Sequence, residues 1–129
     1  MLCGRINAYY EGRKFIMSLY EKLKGKKVDV NYETGYHFVI EYLSDNELEW
    51  EALADAAEGA PKKEKEPFSY YEIREGLYNI NWIEESGLVV SQIADFTEGK
   101  VYAFMTWPDE KARGNRAELL HKGTLKVIE

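Results

Sequence analysis

The first part of the chain has apolar residues at every third or fourth position, which is the period of an amphipathic helix. These residues form one stripe over Arg5–Lys24 that Gly12 interrupts, and Gly25 follows at a position typical of a helix C-terminal cap. The pattern predicts one N-terminal helix over about residues 5–23, with its firm part over about 13–23. We expect this helix to flank or plug the structure that follows it.

From Lys26 onward the pattern changes to alternation of apolar and polar residues, which is typical of half-buried β-strands. The alternating segments are 26–32, 36–43, 47–53, 68–74, 77–84, 88–95, 101–107, 117–122 and 124–128. Gly123, between the last two segments, predicts a tight turn or a bulge. Short strands with a turn about every 8–12 residues favour a sandwich or a barrel. We expect an all-β, mainly antiparallel barrel of eight or nine strands, because strands in meander order can close and so remove exposed edges.

One segment does not alternate between apolar and polar residues. Asp55–Pro67 is rich in Ala, Lys, Glu, Gly and Pro, and it contains the charge run Lys62–Glu66 between two prolines. We interpret it as a loop, either a mobile lid over a pocket or a solvated surface connection.

Length and composition limit the possible functions. The 129 residues are enough for a single domain over residues 1–129, in which the barrel begins at about residue 26. The net charge of −6 argues against nucleic acid and anionic membranes as partners. No apolar run approaches the roughly 20 residues of a membrane helix, and no signal peptide is visible. We therefore expect a cytoplasmic protein.

Few residues in the chain carry specialised chemistry. One cysteine and two histidines cannot form a cysteine-rich zinc site, and the sequence has no glycine-rich phosphate loop or nucleophile elbow. We therefore expect no metal and no cofactor.

The segment Leu77–Glu84 carries the most informative pattern. Tyr78, Ile80 and Trp82 share one face, and asparagines alternate with them on the other. Since asparagines are improbable core residues, the Tyr78 face points inward, and the same pleat turns Glu84 inward. A desolvated carboxylate has a raised pKa and can act as a general acid or base. The alternative is that Glu84 ends its strand at the rim, in water.

The same alternation places further residues inside the predicted barrel. A small, flat and partly apolar ligand would lie among aromatic side chains and one glutamine, and the candidates are Tyr32, Tyr42, Trp50, Tyr78, Trp82 and Gln92. For each tyrosine the alternative is an ordinary core residue with a hydrogen-bonded hydroxyl.

The residues Gly76-Leu-Tyr-Asn-Ile-Asn-Trp-Ile-Glu84, followed by Gly87, Glu98-Gly-Lys100 and Trp107-Pro108, resemble the phenolic acid decarboxylases and the related MoaF-like proteins. The resemblance extends over roughly residues 28–108. It implies a lipocalin-like, or calycin, barrel and, by analogy with the decarboxylases, a homodimer.

The resemblance also implies roles for two residues. Glu84 matches the decarboxylase glutamate that acts in proton transfer, and Tyr32 matches the second of two tyrosines that hold the substrate carboxylate. The first of those tyrosines falls at Val30. The decarboxylase arginine has no counterpart, because no arginine occurs between Arg13 and Arg74. The MoaF-like proteins are therefore the better match. The expected function is small-molecule binding, and the alternative is a cofactor-independent, decarboxylase-like lyase that acts on a phenolic or small aromatic acid, with Glu84 and Tyr32 as its catalytic residues.

Overall fold

Within the described residues, the fold is a closed antiparallel β-barrel that one short helix precedes. The computed structural model describes residues 17–53 and 62–129. The elements are α1 (Leu19–Leu23), β1 (Lys27–Tyr32), β2 (His37–Tyr42), β3 (Glu47–Ala52), β4 (Lys63–Arg74), β5 (Leu77–Ile83), β6 (Val89–Asp95), β7 (Lys100–Pro108) and β8 (Arg116–Ile128), with a 3-10 turn over Arg113–Asn115. Each strand pairs with the next one along the chain, and β8 pairs with β1. The predicted all-β barrel is confirmed, with eight strands.

Within the described residues, the helix begins later than predicted, because residues 17 and 18 are not helical. The Ser18 hydroxyl accepts a hydrogen bond from the backbone N–H of Glu21, and the Glu21 carboxylate accepts one from the N–H of Ser18. This capping box starts α1 at Leu19. The rest of the predicted helix, over residues 5–16, lies outside the described residues. Gly25 follows the helix end with a φ of +80°, as a C-terminal cap requires. None of the helices within 17–53 and 62–129 has the length and apolarity to cross a membrane.

The tight turn or bulge predicted at Gly123 is wrong, because β8 continues through this residue as one strand without a shift in register. Gly123 pairs with Val101 of β7 and also with Tyr32 of β1, so it lies where β8 passes from one neighbour to the other. A Cβ atom here would lie 2.0 Å from the backbone oxygen of Asn31. Only glycine therefore allows the close approach that shuts the barrel.

The charge run that was predicted to be a loop is a strand from Lys63 onward. Its lysines pair on the outer face with glutamates of β3, and Lys63 Nζ lies 3.8 Å from Glu49 Oε1. The alternate positions, Glu64 and Glu66, are turned toward the interior, where their carboxylates approach Glu84. The opposite charges across β3 and β4 stabilise the pairing. The remainder of the predicted loop, over residues 54–61, lies outside the described residues.

Aromatic rings fill the half of the barrel beside α1. Tyr42 contacts Phe68, and the row continues through Tyr70 to Tyr78 with centroid separations of 5.3, 5.8 and 5.9 Å. The Tyr70 hydroxyl accepts a hydrogen bond from the backbone N–H of Leu19, which ties this row to the helix. The other half of the barrel contains a cavity.

Candidate binding cavity

A cavity of about 900 Å³ occupies the end of the barrel at which β1, β5 and β7 finish. Its walls are mainly apolar and aromatic: Val30, Tyr36, Phe38, Ile40, Trp50, Ala52, Trp82, Leu88, Val90, Met105, Trp107, Pro108 and Leu119. Its polar lining residues are Tyr32, Thr34, His37, Glu84, Ser86 and Gln92. An apolar volume of this size with few convergent polar groups is typical of a small-molecule site.

Five of the seven site residues predicted from the sequence line this cavity: Tyr32, Trp50, Trp82, Glu84 and Gln92. The other two, Tyr42 and Tyr78, are buried in the filled half of the barrel. The Tyr78 hydroxyl accepts a hydrogen bond of 2.9 Å from Lys22 Nζ, so it fastens α1 to the barrel. Pleat direction gives the face on which a residue lies but not its depth along the barrel, which is why Tyr42 and Tyr78 were grouped with the others.

Glu84 directly follows β5, is half-buried, and turns its carboxylate toward the cavity. The indole Nε1 of Trp82 donates a hydrogen bond of 3.1 Å to its Oε2. Burial raises the pKa of Glu84, and the charge of Glu64 acts in the same direction against the Trp82 hydrogen bond. Glu84 therefore combines the two alternatives read from the sequence, since it lies at the rim and also faces inward.

A second carboxylate, that of Glu66, was missed from the sequence. Glu66 is 2% exposed, and Trp50 Nε1 donates a hydrogen bond of 3.0 Å to its Oε2. Burial raises the pKa of Glu66 to about 8, and Glu64 and Glu84 add to this effect against the Trp50 hydrogen bond. Glu64, Glu66 and Glu84, here called the glutamate cluster, each place a carboxylate oxygen within 4.8 Å of the others. The raised pKa of Glu66 means that the cluster is protonated in part at neutral pH.

The signal for this cluster was present in the sequence. Lys63-Glu-Lys-Glu66 alternates with period two directly before an apolar strand segment. Phe68 pairs with Trp82, so the next inward positions along the two strands are Glu66 and Glu84. Because prolines flank this segment and its charges are dense, it was predicted to be a loop, and the strand register was not recognised.

On another wall of the cavity, the Gln92 side-chain N–H donates a hydrogen bond of 2.9 Å to the Tyr32 hydroxyl. Burial raises the pKa of Tyr32 to about 12, although the hydrogen bond from Gln92 opposes the rise. Tyr32 is therefore neutral at physiological pH. Because its oxygen accepts from Gln92, its O–H remains able to donate to a bound molecule.

His121 is a further buried residue that the sequence interpretation missed. Its ring stacks on Tyr32 with a centroid separation of 3.8 Å, and its Nδ1 lies 2.7 Å from Thr34 Oγ1. Its Nε2 is buried and has no partner among the described residues. Burial lowers the pKa of His121, which favours the neutral ring. Its inward position follows from the register of β8, which the assumed break at Gly123 obscured.

The described lining of the cavity contains no lysine or arginine. The ring of His37 is hydrogen-bonded to the carboxylate of Asp29. Val30, which takes the place of the first decarboxylase tyrosine, contributes only an apolar surface. The cavity thus offers negative charge at one wall and no fixed cation to bind a carboxylate.

Comparison with known proteins places this barrel in a family. No curated protein matches the sequence at a significant level. The crystal structure of "a putative beta-lactamase from Burkholderia vietnamiensis" is similar, with a TM-score of 0.65 and 21% sequence identity, over 81% of this chain and 93% of that chain. At that identity the similarity concerns the fold alone. The MoaF-like family model matches residues 24–119, which include most of the barrel. The chain therefore belongs to the MoaF-like family.

Proposed function

We propose that this protein binds a small, flat and largely apolar molecule inside the barrel. The observation that carries the proposal is the cavity of about 900 Å³, which aromatic and aliphatic side chains enclose beside a filled half of the same barrel. A volume of this size accommodates a molecule of one or two rings, whose burial supplies most of the binding free energy.

The few polar groups would orient such a molecule. The Tyr32 hydroxyl, held by Gln92, and the Glu84 carboxylate, held by Trp82, are contributed by different strands. Each is fixed by a neighbouring side chain, so little conformational entropy is lost when a ligand binds to it. A ligand with polar groups at separate positions on an apolar body suits this arrangement.

Tryptophan fluorescence tests the proposal directly, because all three tryptophans of the chain, Trp50, Trp82 and Trp107, line the cavity. We expect a saturable change in emission when small aromatic compounds are titrated into the protein. A complete absence of response across a panel of neutral, cationic and anionic compounds contradicts the proposal.

A matched pair of variants locates the response. Val90 is buried and lines the cavity, whereas its neighbour Val89 belongs to the outer face of β6. Val90→Phe should fill part of the cavity and weaken binding, and Val89→Phe should leave binding unchanged. Equal effects of the two substitutions would place the binding elsewhere.

A second candidate function is a cofactor-independent lyase that acts on a phenolic or small aromatic acid, with Glu84 as proton donor or acceptor and Tyr32 beside the substrate. The raised pKa of Glu84 at the cavity wall favours it. The absence of a basic side chain from the described lining argues against a carboxylate substrate. Loss of substrate absorbance in the wild type but not in Glu84→Gln would support the lyase, and equal turnover by the two proteins would eliminate this role for Glu84.

Hydrolysis of β-lactams has less support. Among the described lining residues the cavity has one serine, Ser86, in the turn after β5, and no lysine to activate it.

A further inference from the structure

We propose that the cavity selects an organic cation, an aromatic ammonium compound, over neutral and anionic compounds of the same shape. This inference rests on the proposed function and gives the chemical class of the ligand.

The fixed charge of the cavity has one sign. Glu84 belongs to the lining, and carboxylate oxygens of Glu64 and Glu66 lie within 4.8 Å of it. In the described part of the chain no lysine or arginine forms an ion pair with any of the three. A buried acidic cluster without a counter-charge is unfavourable, and a cationic ligand would supply that charge.

Aromatic rings lie beside the acidic wall of the cavity. Trp50 and Trp82 line the cavity, and Phe38 packs edge-on against Trp50 with a centroid separation of 5.8 Å. Aromatic faces attract ammonium groups, most strongly when water is excluded. A site with both aromatic rings and a carboxylate binds an alkylated ammonium group more tightly than a neutral group of the same size.

The same features favour an organic cation over a metal ion. Calcium takes six to eight oxygen ligands, and magnesium needs near-octahedral geometry and retains several waters. Here the indole N–H groups of Trp50 and Trp82 each occupy an oxygen of a carboxylate, and the surrounding walls are apolar. The free carboxylate oxygens of the cluster are fewer than the six to eight ligands that calcium takes, and the mainly apolar walls give little support to the waters that magnesium retains.

Binding of a cation at the glutamate cluster should also release a proton. The groups that face Glu66 are Glu64 from its own strand, Glu84 from the end of β5 and the Trp50 N–H from β3; Trp82 donates to Glu84. Because the cluster is protonated in part at neutral pH, an entering cation should displace a proton. The affinity for a permanently charged ligand should therefore increase between about pH 6 and about pH 8.5.

Three probes with the same ring test the proposal by isothermal titration calorimetry: phenethyltrimethylammonium, 2-phenylethanol and 3-phenylpropanoate. We expect the cation to bind about tenfold more tightly than the alcohol, and the acid to bind most weakly. Measurements in two buffers of different ionisation enthalpy should show proton release with the cation alone.

Variants identify the groups responsible. Glu84→Gln and Glu66→Gln should each weaken binding of the cation much more than binding of the alcohol, so that the preference for the cation decreases. Glu49→Gln is the matched control, because Glu49 lies on the outer face of β3 near Lys63. Thermal melts of all three variants verify that they are folded.

The outcomes separate the two proposals. If the alcohol binds as tightly as the cation, or if Glu49→Gln has the same effect as Glu84→Gln, the cation proposal is overturned and ligand binding stands. If calcium or magnesium chloride binds at the glutamate cluster and the organic cation does not, the cation proposal is also overturned. If none of the three probes binds, both proposals are contradicted.

Discussion

Trp50 Nε1 donates a hydrogen bond of 3.0 Å to Oε2 of Glu66, a carboxylate that is only 2% exposed. Trp82 Nε1 donates a similar bond of 3.1 Å to Glu84. Two indoles thus hold two neighbouring carboxylates on the same side of the barrel interior. This arrangement gives the cavity an acidic wall. Burial raises the pKa values of both carboxylates, and the indole hydrogen bonds oppose that rise.

Glu66 should make the protein less stable as the pH rises. Its folded pKa of about 8 lies above the ordinary value of 4.5, so the folded state binds more protons between these pH values and loses stability as the pH rises through this range. In Glu66→Gln the contribution of Glu66 to this loss should disappear, and that of Glu84 should remain. We expect melting temperatures a few degrees above the wild type at about pH 8.5, and a smaller difference at about pH 5.

Calorimetric melts across this pH range check the prediction, with Glu49→Gln as the control on the outer face of β3. Identical pH dependence in Glu66→Gln and the wild type would show that Glu66 is not the group responsible.

Trp50→Phe should be destabilising, because it removes the hydrogen bond to Glu66 and leaves a buried carboxylate oxygen without a partner. We expect a decrease of about 1–3 kcal/mol in the free energy of unfolding, measured by urea denaturation. Trp107→Phe is the matched control, since Trp107 also lines the cavity and the described residues show no hydrogen bond from its indole. Equal losses in the two variants would assign the effect to lost packing instead.

His121 should act in the opposite pH direction from Glu66. Burial lowers its folded pKa below the ordinary value of 6.5, so the folded state binds fewer protons and stability decreases as the pH falls below about 6.5. His121→Phe retains an aromatic ring to stack on Tyr32 and cannot be protonated. Its melting temperature should therefore decrease less than that of the wild type between about pH 7 and pH 5. A parallel decrease in both proteins would contradict the assignment.

Gly123→Ala should prevent close pairing of β8 with β1. The new Cβ would meet backbone atoms of Asn31 and Tyr32, at 2.0 and 2.6 Å, and neither can move without opening the barrel. We expect a loss of about 3 kcal/mol or more in urea denaturation. Gly114→Ala is the control, because nothing lies within 4 Å of its added Cβ and only its φ of +65° opposes the substitution. A loss of about 1 kcal/mol is expected there, and equal losses would contradict the closure role of Gly123.

The sequence predicted the barrel because most strands have one buried face, and alternation reports that face directly. Alternation also placed Glu84 and Tyr32 inside. It failed where charge replaced apolar residues, as at Glu64 and Glu66, and where a glycine suggested a break, as at Gly123.

The sequence also could not predict how deep along the barrel axis a side chain lies, because this depth depends on strand stagger and on where α1 packs. Tyr42 and Tyr78 were therefore assigned to a cavity that they do not line. The homodimer that the resemblance implies stays a prediction, which analytical ultracentrifugation can test.

The most direct test of ligand binding is the NMR spectrum of the three indole N–H groups during titration with 2-phenylethanol. Trp50, Trp82 and Trp107 all line the cavity, so all three signals should shift in a saturable manner, and Val90→Phe should weaken the response. Unchanged indole signals in the wild type at saturating ligand would contradict a binding site inside this barrel.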